Sequence, residues 1–410
     1  MKKNEYVFWY ANDYDLSLLT PLIEYCNLKP EQKLIFFSSS KVDKTKNNIF
    51  FIRAEVLGLG LEELLDYKDE IKWCDDNGIT VVYDNSWESI FLCIPKNNIQ
   101  EIKNIIPKKF KIFCNFEEID IQNSNGEVAH LKYVLKYAIN VMFFPMYLGL
   151  QMELLSDDAW NVINPSKNIK RKYLFSLLCG EIRKPHRALT LAGLMAEDLL
   201  SNSFYTTFLR DHGDEFQSTN SLYPSDAWVF DETHQYFKYA KYLKDNHDKI
   251  LVNKLFDIEA INLEIDNNVL DDDLDFRIPI QMHESYFNIV METFAWHQFC
   301  FYTEKTFKPM IAEKPFIICG TINQNQYLES LGFEIFPEIF DYSFEKIPVN
   351  YIEGFIEGFV AEIKRVSELP LSVFDQPSVL AKIKHNKELI TQLGSKENTR
   401  NKLNEILSYK

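Results

Sequence analysis

The residues best suited by type and spacing to carry chemistry lie between Glu284 and Gly320. The apolar, β-branched run Tyr286–Met291 predicts a strand whose carboxyl end delivers Glu292. A short second strand then leads into Tyr302-Thr303-Glu304-Lys305, where a helix is predicted to begin with Thr303 or Thr306 as its N-cap. This order brings a carboxylate at a strand end close to the start of a helix.

Glu304 and Lys305 are the polar pair at this helix start. A helix N-terminus attracts anions because its first N–H groups are unsatisfied and carry partial positive charge. Lys305 adds a full positive charge, and Glu304 can accept hydrogen bonds from sugar hydroxyls, so the pair suits a phosphate joined to a ribose. Glu and Lys in a first helical turn are also common surface residues, which leaves a purely structural role open.

A second polar group follows the predicted strand Tyr173–Leu178. Gly180 permits close backbone approach, and a helix is predicted to begin at Pro185. Arg183 and Arg187 are then placed at the mouth of the sheet, where guanidinium groups can bind a diphosphate through paired hydrogen bonds. The alternative is a solvated basic helix start, which the helix dipole disfavours.

Carboxylates also follow strands predicted in the first part of the chain. Asp13 and Asp15 come after the first strand, and Asp84 and Glu88 come after the strand at residues 79–83. Asp13 and Asp84 are our candidates for a general base that removes a proton from an attacking hydroxyl. Aspartates at strand ends are also frequent helix caps, so each of the two has a structural alternative.

No metal site is predicted. The acidic run Asp271-Asp272-Asp273 with Asp275 could hold a divalent cation, but a run of like charges is usually a solvated surface. The seven cysteines are scattered and form no C-x-x-C pair, which argues against zinc and against a disulfide framework. Free thiols are typical of a reducing compartment, so we expect a cytoplasmic protein.

Composition excludes several classes of protein. The chain has 410 residues, of which 46% are hydrophobic and 25% charged, as in ordinary globular domains. Lys plus Arg is 44 and Asp plus Glu is 60, which gives a net charge of −16 that repels a phosphate backbone, so nucleic acid is not an expected partner. No apolar run is long enough to predict a membrane span.

The order of predicted elements indicates an α/β fold. Strands alternate with helices before and after the polar stretch Ser156–Lys172, which is typical of βαβ units on parallel sheets. We predict an N-terminal Rossmann-like lobe over 1–165, a second over 166–350, and a helical C-terminal tail over 351–410. Such lobes bind ligands beyond the carboxyl ends of their strands, so a cleft between the two is the expected site.

Glu292, Tyr302-Thr303-Glu304-Lys305 and Pro315–Gly320 together resemble the donor-binding motif of the α1,3-fucosyltransferase-like glycosyltransferases, including phage and bacterial relatives. That motif is F-E-N, then Y-x-T-E-K, then x-P-V-x-x-G. Here Met291-Glu292-Thr293 replaces F-E-N and Phe316 replaces the valine, so the resemblance indicates glycosyl transfer more than fucose.

The resemblance implies a GT-B architecture with the nucleotide sugar on the second lobe. Glu304 would then hold the ribose and Lys305 the diphosphate, while Tyr302 would line the pocket and Thr303 lies in the same motif. Glu292 would lie close to the donor sugar, which makes it a third catalytic candidate beside Asp13 and Asp84. An arginine after the first strand of that lobe would neutralise the diphosphate, which points to Arg183 or Arg187.

The sequence therefore predicts a glycosyltransferase that moves a sugar from a GDP- or UDP-sugar to a glycan or other hydroxyl acceptor. We expect an inverting reaction with a carboxylate base and no required cofactor. A nucleotide-sugar isomerase or phosphorylase on the same two-lobed fold, and a non-catalytic nucleotide-binding protein, remain alternatives. The donor nucleotide, the sugar and the acceptor are left open.

Overall fold

The computed structural model describes part of the chain. The described residues are 5–11, 19–28, 30–34, 41–53, 60–85, 99–114, 116–118, 136–141, 145–147, 149, 169–181, 185–208, 278–292, 299–321, 323–347 and 352–408.

The N-terminal part alternates strands with helices. Its elements are β1 (Tyr6–Tyr10), α1 (Thr20–Tyr25), β2 (Glu31–Leu34), β3 (Asn47–Arg53), a 3-10 helix (Gly60–Leu65), α2 (Lys68–Asn77), β4 (Thr80–Asn85), α3 (Ile99–Ile105), β5 (Phe110–Cys114), β6 (Phe116–Glu118) and β7 (Ala138–Asn140). Six of these strands form one parallel sheet in the order β2-β1-β3-β4-β5-β7.

Burial explains why inner strands of this sheet such as β1 read as continuous apolar runs. All five residues of β1 are buried, as in a parallel sheet covered on both faces. Helix α2 ends at Gly78, whose φ of 71° lies in the left-handed region that glycine adopts without a steric penalty. The chain can therefore turn directly from α2 into β4.

The second part of the chain has its own parallel sheet. Its elements are β8 (Tyr173–Glu181), α4 (Pro185–Ala196), β9 (Phe204–Phe208), α5 (Ile280–His283), β10 (Ser285–Met291), β11 (Phe299–Phe301), α6 (Glu304–Ile311), β12 (Phe316–Cys319), α7 (Gln324–Ser330) and a 3-10 helix (Tyr342–Lys346). The sheet order is β12-β10-β8-β9, with β10 at the centre and β12 at an edge.

Helices dominate the C-terminal end. They are α8 (Ile352–Ser367), a 3-10 helix (Leu371–Asp375), α9 (Pro377–Gly394) and α10 (Lys396–Ser408). The α/β class, with two parallel sheets and C-terminal helices, confirms the fold class predicted from the sequence. Within the described residues, no helix combines the length and the apolar character needed to cross a bilayer.

Contacts divide the chain into two compact units. One comprises residues 1–153 together with 391–410, and the other comprises residues 154–390. Helix α10 belongs to the first unit, where Arg400 donates from Nε and Nη2 to the Cys26 carbonyl at 3.1 and 2.8 Å. Tyr6 Oη also donates to Asn404 Oδ1 at 3.3 Å. Helix α10 therefore contributes to the stability of the first unit.

Replacing Arg400 with Ala should lower the free energy of unfolding by about 1–2 kcal/mol, because the Cys26 carbonyl at the end of α1 loses both of these donors. Chemical denaturation measures the change. Lys402→Ala is the matched control, since Lys402 lies on the same helix and, among the residues that the structure describes, forms an ion pair only with exposed Glu405. Equal effects of the two variants would contradict the role assigned to Arg400.

Candidate functional site at the carboxyl edge of the second sheet

The carboxyl ends of β8, β10 and β12 meet at one edge of the second sheet. The strands are parallel, and the last residue of β10, Met291, lies opposite the last residue of β12, Cys319. Helices α4 and α6 begin with residues that contact this edge. The structure thus brings Glu292, Thr303, Glu304 and Lys305 into one network of hydrogen bonds, and Tyr302 bonds separately to Gln324.

Glu292 organises this edge. The residue is fully buried. Its Oε1 accepts hydrogen bonds from Thr303 N at 3.0 Å and Thr306 Oγ1 at 2.5 Å, and its Oε2 accepts one from Thr303 Oγ1 at 2.8 Å. A carboxylate at a helix N-terminus is also favoured by the helix dipole. Glu292 therefore holds the first turn of α6 against the end of β10.

Thr303 is the N-cap of α6, and Thr306 lies inside the helix. Thr303 has extended backbone angles, and its Oγ1 accepts a hydrogen bond from Lys305 N at 3.3 Å while donating its own proton to Glu292. The cap hydroxyl thus has a defined orientation because both of its hydrogen-bonding functions are used.

Glu304 and Lys305 form an ion pair at the start of α6. Lys305 Nζ lies 2.5 Å from Glu304 Oε1 and 3.4 Å from Thr303 Oγ1. The Lys305 side chain is 26% exposed, whereas that of Glu304 is 7% exposed. Burial acts to raise the pKa of Glu304, but the charges of Lys305 and Lys308 and the hydrogen bond from Lys305 outweigh it, so the pKa is lowered. Glu304 is therefore an ionised, buried carboxylate beside a partly exposed ammonium group.

Tyr302 connects α6 to α7. It is buried, and its hydroxyl donates to the Gln324 carbonyl at 2.7 Å. Gln324 Oε1 in turn accepts from Thr321 N at 2.6 Å. A Cβ on Gly320 would lie 1.9 Å from Gln324 Oε1, so the glycine that ends the predicted motif is required for this close approach. Tyr302 is thus fixed by the turn that follows β12.

Asn325 covers the free edge of β12. Its Oδ1 accepts from Ile318 N and its Nδ2 donates to Ile318 O, both at 2.9 Å, so one side chain takes the place of a neighbouring strand. Glu345 Oε1 accepts from Asn325 N at 2.9 Å and from Asn325 Nδ2 at 2.8 Å. Sequence reasoning did not identify Gln324, Asn325 or Glu345, because their spacing carries no motif.

Arg187 lies close to Glu292 but is buried. Its Nη2 donates to the carbonyls of Met291 and Glu292 at 3.4 and 3.3 Å. His186 Nε2 lies 2.8 Å from the same Glu292 carbonyl, so it contacts the same stretch of backbone. The guanidinium thus supports the backbone at the end of β10, and its contact with a diphosphate stays a prediction.

The other predicted site residues are distributed differently. Gly180 lies in β8 at a register shift between Leu178 and Glu181, and Arg183 lies outside the described residues. Asp84 lies in β4 of the first unit and is fully buried. The burial of Tyr10, which ends β1, and the nearby charge of Asp84 both raise the pKa of the Tyr10 hydroxyl. Asp13 is outside the described residues.

The described part of the chain contains none of the remaining acidic candidates. Asp15, Glu88 and the acidic run at 271–275 all lie outside it. Across the residues that are described, no group of three or more His, Cys, Asp or Glu side chains is arranged to hold a metal ion.

Comparisons with known proteins gave structural likeness only. No protein-family model and no curated protein sequence matches the chain. The crystal structure of a glycosyltransferase from Rickettsia africae ESF-5 is similar over 100% of both chains, with 9% identity and a TM-score of 0.42. The crystal structure of a GtfA/B complex is similar over 84% of this chain and 59% of that chain, with 11% identity and a TM-score of 0.30.

Replacing Thr303 with Val should lower the free energy of unfolding by about 1–3 kcal/mol, because it removes the helix cap and one donor to buried Glu292. Urea denaturation measures the loss. Thr303→Ser keeps the hydroxyl and should recover most of the stability. A valine variant as stable as the wild-type protein would contradict the role assigned to the cap hydroxyl.

Glu345 should make stability fall with rising pH. Burial raises its pKa to about 7, although hydrogen bonds from Asn325 act in the opposite direction. The folded chain therefore keeps a proton that the unfolded chain has already lost, so stability declines as pH rises from the usual glutamate range through about 7. In Glu345→Gln this part of the decline should disappear. Melting temperatures between pH 5 and 8.5 test it, and an identical pH dependence in both proteins would contradict it.

Proposed function

We propose that this chain is a glycosyltransferase that moves a sugar from a nucleoside-diphosphate sugar to a hydroxyl acceptor. The observation that carries the proposal is the Glu304–Lys305 pair, which is held at the carboxyl edge of a parallel sheet and at the N-terminus of α6. In α/β folds this edge is where ligands bind, and a helix N-terminus there favours anions.

Lys305 is the proposed contact to the diphosphate. Its ammonium group has three N–H donors, and its hydrogen bonds go to Glu304 Oε1 and Thr303 Oγ1. The side chain is partly exposed, so an oxygen of a phosphate can approach it without unfolding the helix start. Positive charge fixed at this point also stabilises the negative charge that develops on the departing nucleoside diphosphate.

Glu304 is the proposed contact to the ribose. Two neighbouring lysines keep its carboxylate ionised although it is buried. A carboxylate accepts hydrogen bonds and donates none, so it suits a pair of ribose hydroxyls better than a phosphate. Lys305 holds this carboxylate in place. In this proposal, other residues select the nucleobase.

Glu292 is assigned to positioning in this proposal. Its two oxygens accept three hydrogen bonds from Thr303 and Thr306, which fix the turn that carries Glu304 and Lys305. A direct contact of Glu292 with the donor sugar, as the family resemblance implies, stays a prediction.

The proposed transfer is a displacement at the anomeric carbon. The acceptor oxygen forms a bond to this carbon while the bond to the β-phosphate oxygen breaks, and the leaving electron pair goes to the diphosphate. A carboxylate takes the acceptor proton, and Asp84 and Asp13 are the candidates. Lys305, with Arg183 or Arg187, supplies the positive charge, and attack opposite to the leaving group gives inversion. The proposal requires no cofactor.

Lys305→Ala should weaken binding of the donor at least about tenfold, because the diphosphate loses its charge-assisted contact. A thermal-shift screen over UDP-, GDP-, CMP- and dTDP-sugars identifies the donor, and isothermal titration then measures its dissociation constant. Lys364→Ala is the matched control: Lys364 is an exposed lysine of the same unit that pairs with Glu197. Unchanged binding by Lys305→Ala would contradict the assignment of the diphosphate site.

Measuring turnover distinguishes a glycosyltransferase from an isomerase, a phosphorylase and a binding protein. A glycosyltransferase releases the nucleoside diphosphate in proportion to an added hydroxyl acceptor, and the sugar appears on that acceptor. Conversion of the nucleotide sugar without an acceptor would instead support an isomerase, and dependence on phosphate would support a phosphorylase. Tight binding with no turnover across a panel of acceptors would support a binding protein.

A further inference from the structure

We propose that Glu345 is a positioning residue for the nucleotide-binding edge, acting through Asn325 on β12 and through the start of α7 on Tyr302. The inference rests on the proposed function and deepens it, because it adds a residue that controls the geometry of Glu304 and Lys305 without touching the ligand. Three links of hydrogen bonds carry it.

The first link joins Glu345 to the first turn of α7. Glu345 is fully buried, and its Oε1 accepts from Asn325 N at 2.9 Å and Asn325 Nδ2 at 2.8 Å. Its Oε2 is also buried, and within the described residues no partner meets hydrogen-bond geometry with that atom. Glu345 therefore holds the first turn of α7 through its Oε1.

The second link joins Asn325 to the sheet. Asn325 pairs with both the N–H and the carbonyl of Ile318. Ile318 lies one residue before the end of β12, which is followed by Gly320 and the turn of the site. Glu345 thus sets the rotation of the Asn325 amide that fixes the free edge of β12.

The third link reaches the proposed ligand contacts. Gln324, the residue before Asn325, accepts the hydroxyl proton of Tyr302 on its carbonyl at 2.7 Å. Tyr302 directly precedes Thr303, the cap of α6, and Glu304 and Lys305 follow. A displacement of the first turn of α7 therefore moves the anchor of Tyr302 and, with it, the start of α6.

The experiment compares Glu345→Ala with Glu345→Gln. The alanine variant removes the acceptor of Asn325 N and should weaken binding of UDP-glucose or GDP-mannose about tenfold in isothermal titration. The glutamine variant keeps a carbonyl oxygen at the position of Oε1 and should restore the affinity to within about twofold. Hydrogen exchange of the peptide over 302–306 should be faster in the alanine variant and normal in the glutamine variant.

Glu362→Ala is the matched control. Glu362 is also a buried carboxylate that accepts a backbone hydrogen bond, from Asp341 N at 2.8 Å, and it pairs with Arg365. Its loss should lower stability but leave the affinity and the exchange over 302–306 unchanged. If Glu362→Ala and Glu345→Ala weaken donor binding equally, the effect comes from general destabilisation, and the proposal is overturned.

A second variant keeps the test informative if Glu345→Ala does not fold. Tyr302→Phe removes only the hydroxyl that bonds Gln324 and should weaken binding in the same direction; wild-type affinity in this variant would overturn the proposal. If the wild-type protein binds no member of the UDP-, GDP-, CMP- and dTDP-sugar screen, the proposed function is contradicted, and exchange alone decides on Glu345. In that case, unchanged exchange over 302–306 in Glu345→Ala would overturn the positioning role. If the alanine variant does not fold, unchanged exchange in Tyr302→Phe would do the same.

Discussion

The carboxylate of Glu292, buried at the end of the central strand β10, is the interaction on which the site depends. Its oxygens accept from the backbone and hydroxyl of Thr303 and from the hydroxyl of Thr306, while its own N–H donates to Cys319 O of β12 at 3.2 Å. One residue thereby joins two strands to the first turn of α6. Leaving this buried carboxylate without its donors costs several kcal/mol, so the three hydrogen bonds restrict where the first turn of α6 can lie. The orientation of Glu304 and Lys305 follows from it.

Glu304 and Glu345 show how environment separates two buried carboxylates of one unit. Two lysines beside Glu304 lower its pKa, so its charge is retained. Among the described residues, the donors to Glu345 are neutral amides, and burial raises its pKa to about 7. Neighbouring positive charges thus lower the pKa of one buried carboxyl group, and burial raises that of the other. The assignment of Glu304 to binding and of Glu345 to positioning rests on their hydrogen bonds.

Much of the fold could be predicted from the sequence. The apolar runs at Tyr6–Tyr10, Tyr286–Met291 and Phe316–Cys319 are strands, and their alternation with helices indicated parallel sheets correctly. In the site, Thr303 is one of the two residues predicted as N-cap, and Glu304 and Lys305 do begin the helix. These features depend on propensity and spacing over a few residues, which a sequence displays directly.

By itself, then, the sequence determined which segments become strands and helices and which polar residues stand at their ends. Only the tertiary structure decided that both oxygens of Glu292 are engaged, that Arg187 is buried against strand carbonyls, and that Asn325 and Glu345 close the edge of β12. It also decided that α10 packs with the first unit. Apart from the Asn325–Ile318 pair, which is 7 positions apart, these contacts join residues 11 to 398 positions apart along the chain. No local pattern encodes them, and they form only when the folded sheets bring their partners together.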